Sequence, residues 1–136
     1  MALHPFDESG VERDGDGIKR YVDLPDSVVA MLRASVERDP TAEAVVEVDG
    51  PRLTSRELWE AAARVAGGLR ADGVERGDRV AIRLGNGIDW VLGFLGTLMA
   101  GGVAVPVNTR FTESEARYVV EDSGARVVLA FIGSSA

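Results

Sequence analysis

Arg79-Val80-Ala81-Ile82-Arg83-Leu84, then Gly85-Asn86-Gly87, then an apolar run from Ile88 to Ala100, then Gly101-Gly102 and Val103-Ala104-Val105-Pro106-Val107: this stretch decides the fold. Two short β-branched runs flank a helix-length run, with glycines at each junction. That pattern predicts a strand, helix, strand crossover. A crossover of this size implies a parallel pair with right-handed connection. In the helix, Trp90, Val91, Leu92, Phe94, Leu95, Leu98 and Met99 point in all directions, and only Asp89 and Thr97 interrupt them. A helix apolar all round is expected to be buried on all sides.

Outward from this crossover, the flanking segments repeat the alternation. Asp26 or Ser27 can cap a helix to about Arg38, with Val28, Val29, Leu32 and Val36 on one face and Pro40 beyond its end. Ala44–Val48 reads as a short strand, and Asp49-Gly50 as a hairpin turn into Arg52-Leu53. Thr54 and Glu57 have capping-box spacing, and Leu58, Ala62, Val65 and Leu69 then recur at helical intervals up to Gly73. After the crossover, Asn108-Thr109-Arg110-Phe111 reads as a loop. Thr112 and Glu115 repeat the capping-box spacing and open a helix whose Ala116, Val119 and Val120 face inward and which stops at Gly124. Arg126–Phe131 is a further β-branched run, read as a strand buried on both faces. The order is that of an α/β fold, an open and mostly parallel sheet with flanking helices. Met1–Leu24 is polar, glycine-rich and without period, and is expected to be a flexible acidic lead (1–24) ahead of one domain (25–136).

Composition narrows the function classes. The 136 residues are 46% hydrophobic and 27% charged, as in a folded globular chain, and carry a net charge of -7. This charge argues against a nucleic-acid footprint. Without cysteine there is no disulfide, thiolate nucleophile or Cys-based zinc site, and a single histidine, His4, excludes a two-histidine metal site. Residues 1–24 lack the basic start and apolar core of a signal peptide. The Ile88–Ala100 run spans roughly 20 Å as a helix, too short for a bilayer. Cytoplasm is the expected compartment.

Candidate chemistry is sparse. Gly85-Asn86-Gly87 follows a strand and opens a helix, as a dinucleotide fingerprint would, but Trp90 stands where the third glycine is required. Glu12, Asp14, Asp16, Gly17 and Asp23 fall near calcium-loop spacing, with Lys19 at the inward position and no flanking amphipathic helices, so a solvated acidic segment is the better account. No serine lies in G-x-S-x-G, His4 has no positioned acid, and Gly133-Ser134-Ser135 lacks the lysine of a phosphate loop. No catalytic residue and no metal ligand is assigned. Arg110 stands apart. It follows the carboxyl end of a strand, the edge where ligands bind in open α/β sheets. It can hold a phosphate or carboxylate there, pair with Glu113, or remain solvated.

From Val28 to Leu129 the chain resembles the start of the AMP-forming synthetase and ligase superfamily, in its acyl-CoA synthetase branch. Leu53-Thr54-Ser55-Arg56-Glu57-Leu58 is similar to that family's first core motif, with Ser55 where tyrosine is usual. Leu98-Met99-Ala100-Gly101-Gly102-Val103-Ala104-Val105-Pro106-Val107-Asn108 is similar to the second, continuing through Thr109-Arg110-Phe111-Thr112 to Glu115 and Tyr118. Gly77-Asp78-Arg79-Val80-Ala81-Ile82 and Trp90–Gly96 match the approach to it. Asn108, where peptide-synthetase adenylation domains usually carry Asp, favours acyl- or aryl-CoA ligases.

The resemblance implies an incomplete N-terminal subdomain of the adenylate-forming enzyme fold. The whole enzyme would use ATP and magnesium to convert a carboxylic acid to an acyl-adenylate, then transfer it to CoA. It also implies a CoA-phosphate contact at Arg110. The family's phosphate loop with its lysine, its adenine contacts, metal-binding glutamate and C-terminal lysine have no counterpart in these 136 residues. The reading is therefore a truncated or fragmentary acyl-CoA synthetase, inactive alone. Its rival is a free-standing α/β interaction module that complements a separate chain or self-associates through exposed apolar surface.

Overall fold

The computed structural model describes residues 8–131. Three parallel strands form its central sheet: β5 (Arg79–Arg83) lies between β6 (Val103–Pro106) and β7 (Val127–Ala130). Arg79 pairs with Val103 and Ile82 with Pro106 on one side, and Val80 with Val127 and Arg83 with Ala130 on the other. Helix α3 (Ile88–Ala100) makes the crossover from β5 to β6, and α4 (Glu113–Ser123) that from β6 to β7. Ahead of them come α1 (Val28–Arg38), the antiparallel pair β3 (Glu43–Val46) and β4 (Arg52–Thr54), and α2 (Ser55–Ala71).

Strand alternation sends successive residues of β5 to opposite faces. Val80 packs in a cluster with Ala66, Leu69, Val74 and Ala100, on the side of α2 and α3. Ala81 packs with Val107 and Ala116, on the side of α4. Val80, Ala81 and Ile82 are completely inaccessible to solvent, so both faces of the sheet are covered along its centre.

Helices α2 and α3 meet at Gly96. A Cβ there would fall 2.5 Å from Val65 Cγ1 and 3.1 Å from the Ala62 carbonyl oxygen, so only glycine permits this approach. Thr97, read as an interruption of the apolar run, is fully buried beside it and donates to the Gly93 carbonyl at 2.7 Å. Both capping boxes form: Thr54 with Glu57 opens α2, and Thr112 with Glu115 opens α4.

Five readings of the sequence are corrected. The lead over residues 1–24 contains an antiparallel hairpin, β1 (Val11–Arg13) with β2 (Lys19–Tyr21). It escapes hydrophobic-period reading because Asp14 closes it: its Oδ1 accepts from the Asp16 and Ile18 amides, both at 3.0 Å, and its Oδ2 from Arg20. The Arg20 hydrogen bond, then that from the Ile18 amide, holds the Asp14 carboxyl below its usual range.

Helix α3 is not buried on all sides. α1, α2 and the sheet cover Ile88, Leu95 and Ala100, whereas Trp90, Val91, Leu92, Phe94, Leu98 and Met99 are half-buried and Asp89 is exposed. Trp90 and Phe94, one turn apart, stack with ring centroids 5.4 Å apart and so cover part of each other. Strand β7 is an outer strand rather than one buried on both faces; its residues alternate, with Val128 46% exposed. The β3–β4 turn centres on Val48-Asp49, not Asp49-Gly50: the Gly50 amide donates to the Glu47 carbonyl at 3.2 Å, and Asp49 takes the positive φ of 56°. In α1, Val28 is exposed and only Val29, Leu32 and Val36 of the predicted face turn inward.

Candidate functional site

At the carboxyl end of the sheet the loop after β6 turns over the end of β5. The Val107 amide donates to the Ile82 carbonyl at 2.9 Å, extending the sheet register one residue past β6. Asn108 then builds the turn: its Oδ1 accepts from the Arg110 amide at 2.9 Å and its carbonyl from the Phe111 amide at 3.1 Å. Short polar side chains that bond to backbone two residues on favour such turns. Arg110 sits at the crest, exposed, and its guanidinium makes no hydrogen bond or ion pair among the described residues.

The structure settles one of the alternatives for Arg110. Glu113 pairs instead with Arg83, whose Nη1 donates to Glu113 Oε1 at 2.8 Å. The same guanidinium donates through Nη2 to the Phe111 carbonyl at 2.8 Å. Glu113 is exposed, and the Arg83 hydrogen bond, ahead of Arg83's charge and that of Arg117, holds its carboxyl below the usual glutamate range. Arg83, Val107, Glu113, Ala116 and Arg117 line a small cavity of about 180 Å³ here. Sequence reading missed Arg83. A signal was present, since Arg79, Ala81 and Arg83 alternate onto one face of a strand otherwise apolar, and charged side chains on a covered face require partners.

The other candidate residues are scattered. Gly85-Asn86-Gly87 does precede α3, but the helix's first free amide is already occupied: Ile88 N donates to Glu47 Oε1 at 2.5 Å. Glu47 comes from the β3–β4 turn, 41 residues away, and nothing local in the sequence announces it. A Cβ on Gly87 would fall 2.6 Å from that oxygen, so the glycine here serves an internal carboxylate cap rather than a pyrophosphate. Asp14 and Asp16 belong to the N-terminal hairpin, far in sequence from the sheet edge. His4, Ser134 and Ser135 lie outside the described residues.

The described residues do not fit a magnesium–nucleotide site. Among the described residues no three His, Cys, Asp or Glu side chains come together as a metal group. The chain's single lysine, Lys19, engages Glu8 beside the hairpin.

The three-stranded parallel sheet with helices on both faces is shared with solved N-terminal subdomains of adenylate-forming enzymes. The crystal structure of the N-terminal domain of FACL13 from Mycobacterium tuberculosis superimposes with a TM-score of 0.72 and 35% identity, covering 76% of this chain and 27% of that one. The model of the AMP-binding enzyme family matches residues 32–135, and the chain belongs to that family.

Two kinds of enzyme are among its relatives. The long-chain-fatty-acid–CoA ligase FadD13 of Mycobacterium tuberculosis is 37% identical over 100 residues, 73% of this chain and 20% of that protein. Tyrocidine synthase 3 of Brevibacillus parabrevis is 36% identical over 100 residues, 74% of this chain and 2% of that protein. The chain thus spans about a fifth of the length of the fatty-acid ligase it matches. No helix among the described residues is long and apolar enough to cross a membrane.

Proposed function

We propose that residues 25–136 supply the N-terminal subdomain of an ATP-dependent, AMP-forming acyl-CoA synthetase of the cytoplasm, and that these 136 residues do not catalyse adenylation by themselves. The observation that carries the reading is the family match over residues 32–135, which runs through α2, the β5–α3–β6 crossover, α4 and β7. In the complete enzyme, magnesium and placed donors would stabilise the charge that develops on the phosphoryl and carboxyl groups. The part of this chain is narrower: its sheet edge presents the Asn108–Phe111 turn, and Arg110 on that turn contacts a phosphate of CoA. Asn108 and the likeness to FadD13 favour a fatty or aryl acid as the acyl substrate.

The test is direct. With ATP, magnesium, CoA and a panel of fatty and aryl acids, the chain should release no AMP above a control without protein. Release above that control contradicts the proposal.

One observation favours the second reading, an interaction module. Both outer strands, β6 and β7, present open edges, and Val128 and Phe131 are exposed beside the latter. A discrete dimer in light scattering would favour self-association through these edges. A monomer at the same concentrations would remove that form of it.

A further inference from the structure

We infer that Arg83 is a positioning residue: it fixes the Asn108–Phe111 turn and, through that turn, the placement of Arg110. The consequence for Arg110 rests on the CoA reading above; the hold on the turn does not.

The turn is tied to β5 at both of its ends. At its start the tie is backbone, from the Val107 amide to the Ile82 carbonyl. At its close the tie is the Arg83 guanidinium, which reaches the Phe111 carbonyl and the Glu113 carboxylate at 2.8 Å each. Between these points Asn108's bonds to the Arg110 and Phe111 amides shape the chain, and the Phe111 side chain packs against the Ala81, Val107 and Ala116 cluster. The position of Arg110 is therefore set by Asn108 and Phe111 on either side of it. Of the anchors on that turn, the Val107 backbone bond, the Phe111 packing and the Arg83 guanidinium, the last is the one that bonds the turn's closing carbonyl.

Two features separate this role from ordinary helix support. Helix α4 already has a complete cap in the Thr112–Glu115 box, with Thr112 N and Oγ1 donating to Glu115 Oε2 at 2.8 and 2.9 Å. That box is complete without Arg83, whose two bonds instead join the last residue of the turn, Phe111, to β5 along with the first residue of the helix, Glu113. Moreover, a guanidinium spans two acceptors at once from a planar fork, whereas an ammonium is a single point of charge. At the far end of α4, Arg79 makes an equivalent clamp, donating through Nε to the Ser123 carbonyl at 2.8 Å and through Nη2 to the Gly124 carbonyl at 2.9 Å. Arg79 thus provides an internal control, the same residue type on the same strand face, four residues away and remote from the turn.

The experiment is residue-resolved amide exchange on the 136-residue chain, followed by titration with CoA. R83Q should speed exchange at the Arg110 and Phe111 amides about tenfold. R83K should recover part of that loss, and R79Q should leave those two amides as in the parent while loosening Gly124 and Ala125. Exchange at Arg110 and Phe111 within twofold of the parent in R83Q, or equal loosening there in R79Q, overturns the inference. If R83Q does not fold, E113A carries the test, because it removes one arm of the fork without touching β5. It should loosen Phe111 two- to threefold, and no change would overturn the inference.

The CoA arm separates the two claims. R110A should abolish CoA-induced shifts in the turn and R83Q should weaken them severalfold. A parent chain that does not respond to CoA, or an R110A chain that responds like the parent, defeats the CoA reading while the exchange data still decide the role of Arg83.

Discussion

The two faces of the β5 sheet are held by different forces. Toward α2 and α3 the contact is hydrocarbon, with Val80 and Ile82 against Ala66, Leu69 and Ala100 and against the groove that Gly93 leaves open. Toward α4 a smaller apolar cluster, Ala81, Val107 and Ala116 with Phe111, Val119 and Val120 against it, is joined by two arginines at the ends of the strand that reach out to bind the ends of the helix. The first face is set by shape, the second by a smaller apolar cluster together with a few directed bonds. Directed bonds fix orientation more than they add stability, since a hydrogen bond to a charged group contributes about 1.5–3 kcal/mol at most. A loop meant to present one side chain belongs on the second face, which is where Arg110 lies.

This contrast can be broken from the hydrocarbon side first. G96A should cost about 2 kcal/mol in urea unfolding, because the new methyl meets the Val65 side chain at 2.5 Å and a backbone oxygen at 3.1 Å that cannot rotate aside. The better helix propensity of alanine, about 1 kcal/mol, only partly offsets this. G93A should cost less, since its nearest neighbour is the mobile end of Leu129 at 3.2 Å. If both variants unfold at the midpoint of the parent, the shape argument for that face fails.

On the polar face, R79Q should lower stability by about 1–2 kcal/mol, as the Ser123 and Gly124 carbonyls exchange a charged donor for water. A loss as large as that of a deleted core side chain, about 3 kcal/mol or more, would show that the Ala81, Val107 and Ala116 packing depends on Arg79 as well.

The smallest expected effect is acid sensitivity. Hydrogen bonds from Arg83 hold Glu113 below its usual range, and hydrogen bonds from Thr112 and Thr54 do the same for Glu115 and Glu57. A carboxyl depressed in the folded state contributes stability that is present above its unfolded value, about 4.3, and is lost as pH falls through the folded value. Urea midpoints should therefore be flat from about pH 7 to 5 and fall below about pH 4. E113Q should flatten part of that fall. An unchanged slope in E113Q would show that the pair with Arg83 does not persist in solution.

Much of the local architecture was legible in the sequence. The run from Ile88 to Ala100 is the helix α3 to the residue, the glycines at Gly101 and Gly124 end helices in the left-handed conformation, and both S/T-x-x-E boxes cap as their spacing implies. These features are local, or repeat with the period of their element. The long-range polar features were not legible, since each joins residues far apart: Glu47 to Ile88 across 41 residues, and Arg83 to Glu113 across 30. The β1–β2 hairpin was missed for another reason, as its closure uses the Asp14 side chain and no apolar alternation. Arg110 does lie on the carboxyl edge, as its place after a strand implied, but the arginine that steadies its loop could be found only once the fold had brought β5 and α4 together.

The measurement that bears most directly on the two-faced sheet is amide exchange in the R79Q/R83Q double variant. The account predicts that α4, from Ala116 to Val120, loses its protection while α2 and α3, from Leu58 to Leu69 and from Leu95 to Ala100, keep theirs. Equal loss of protection across all three helices would contradict it.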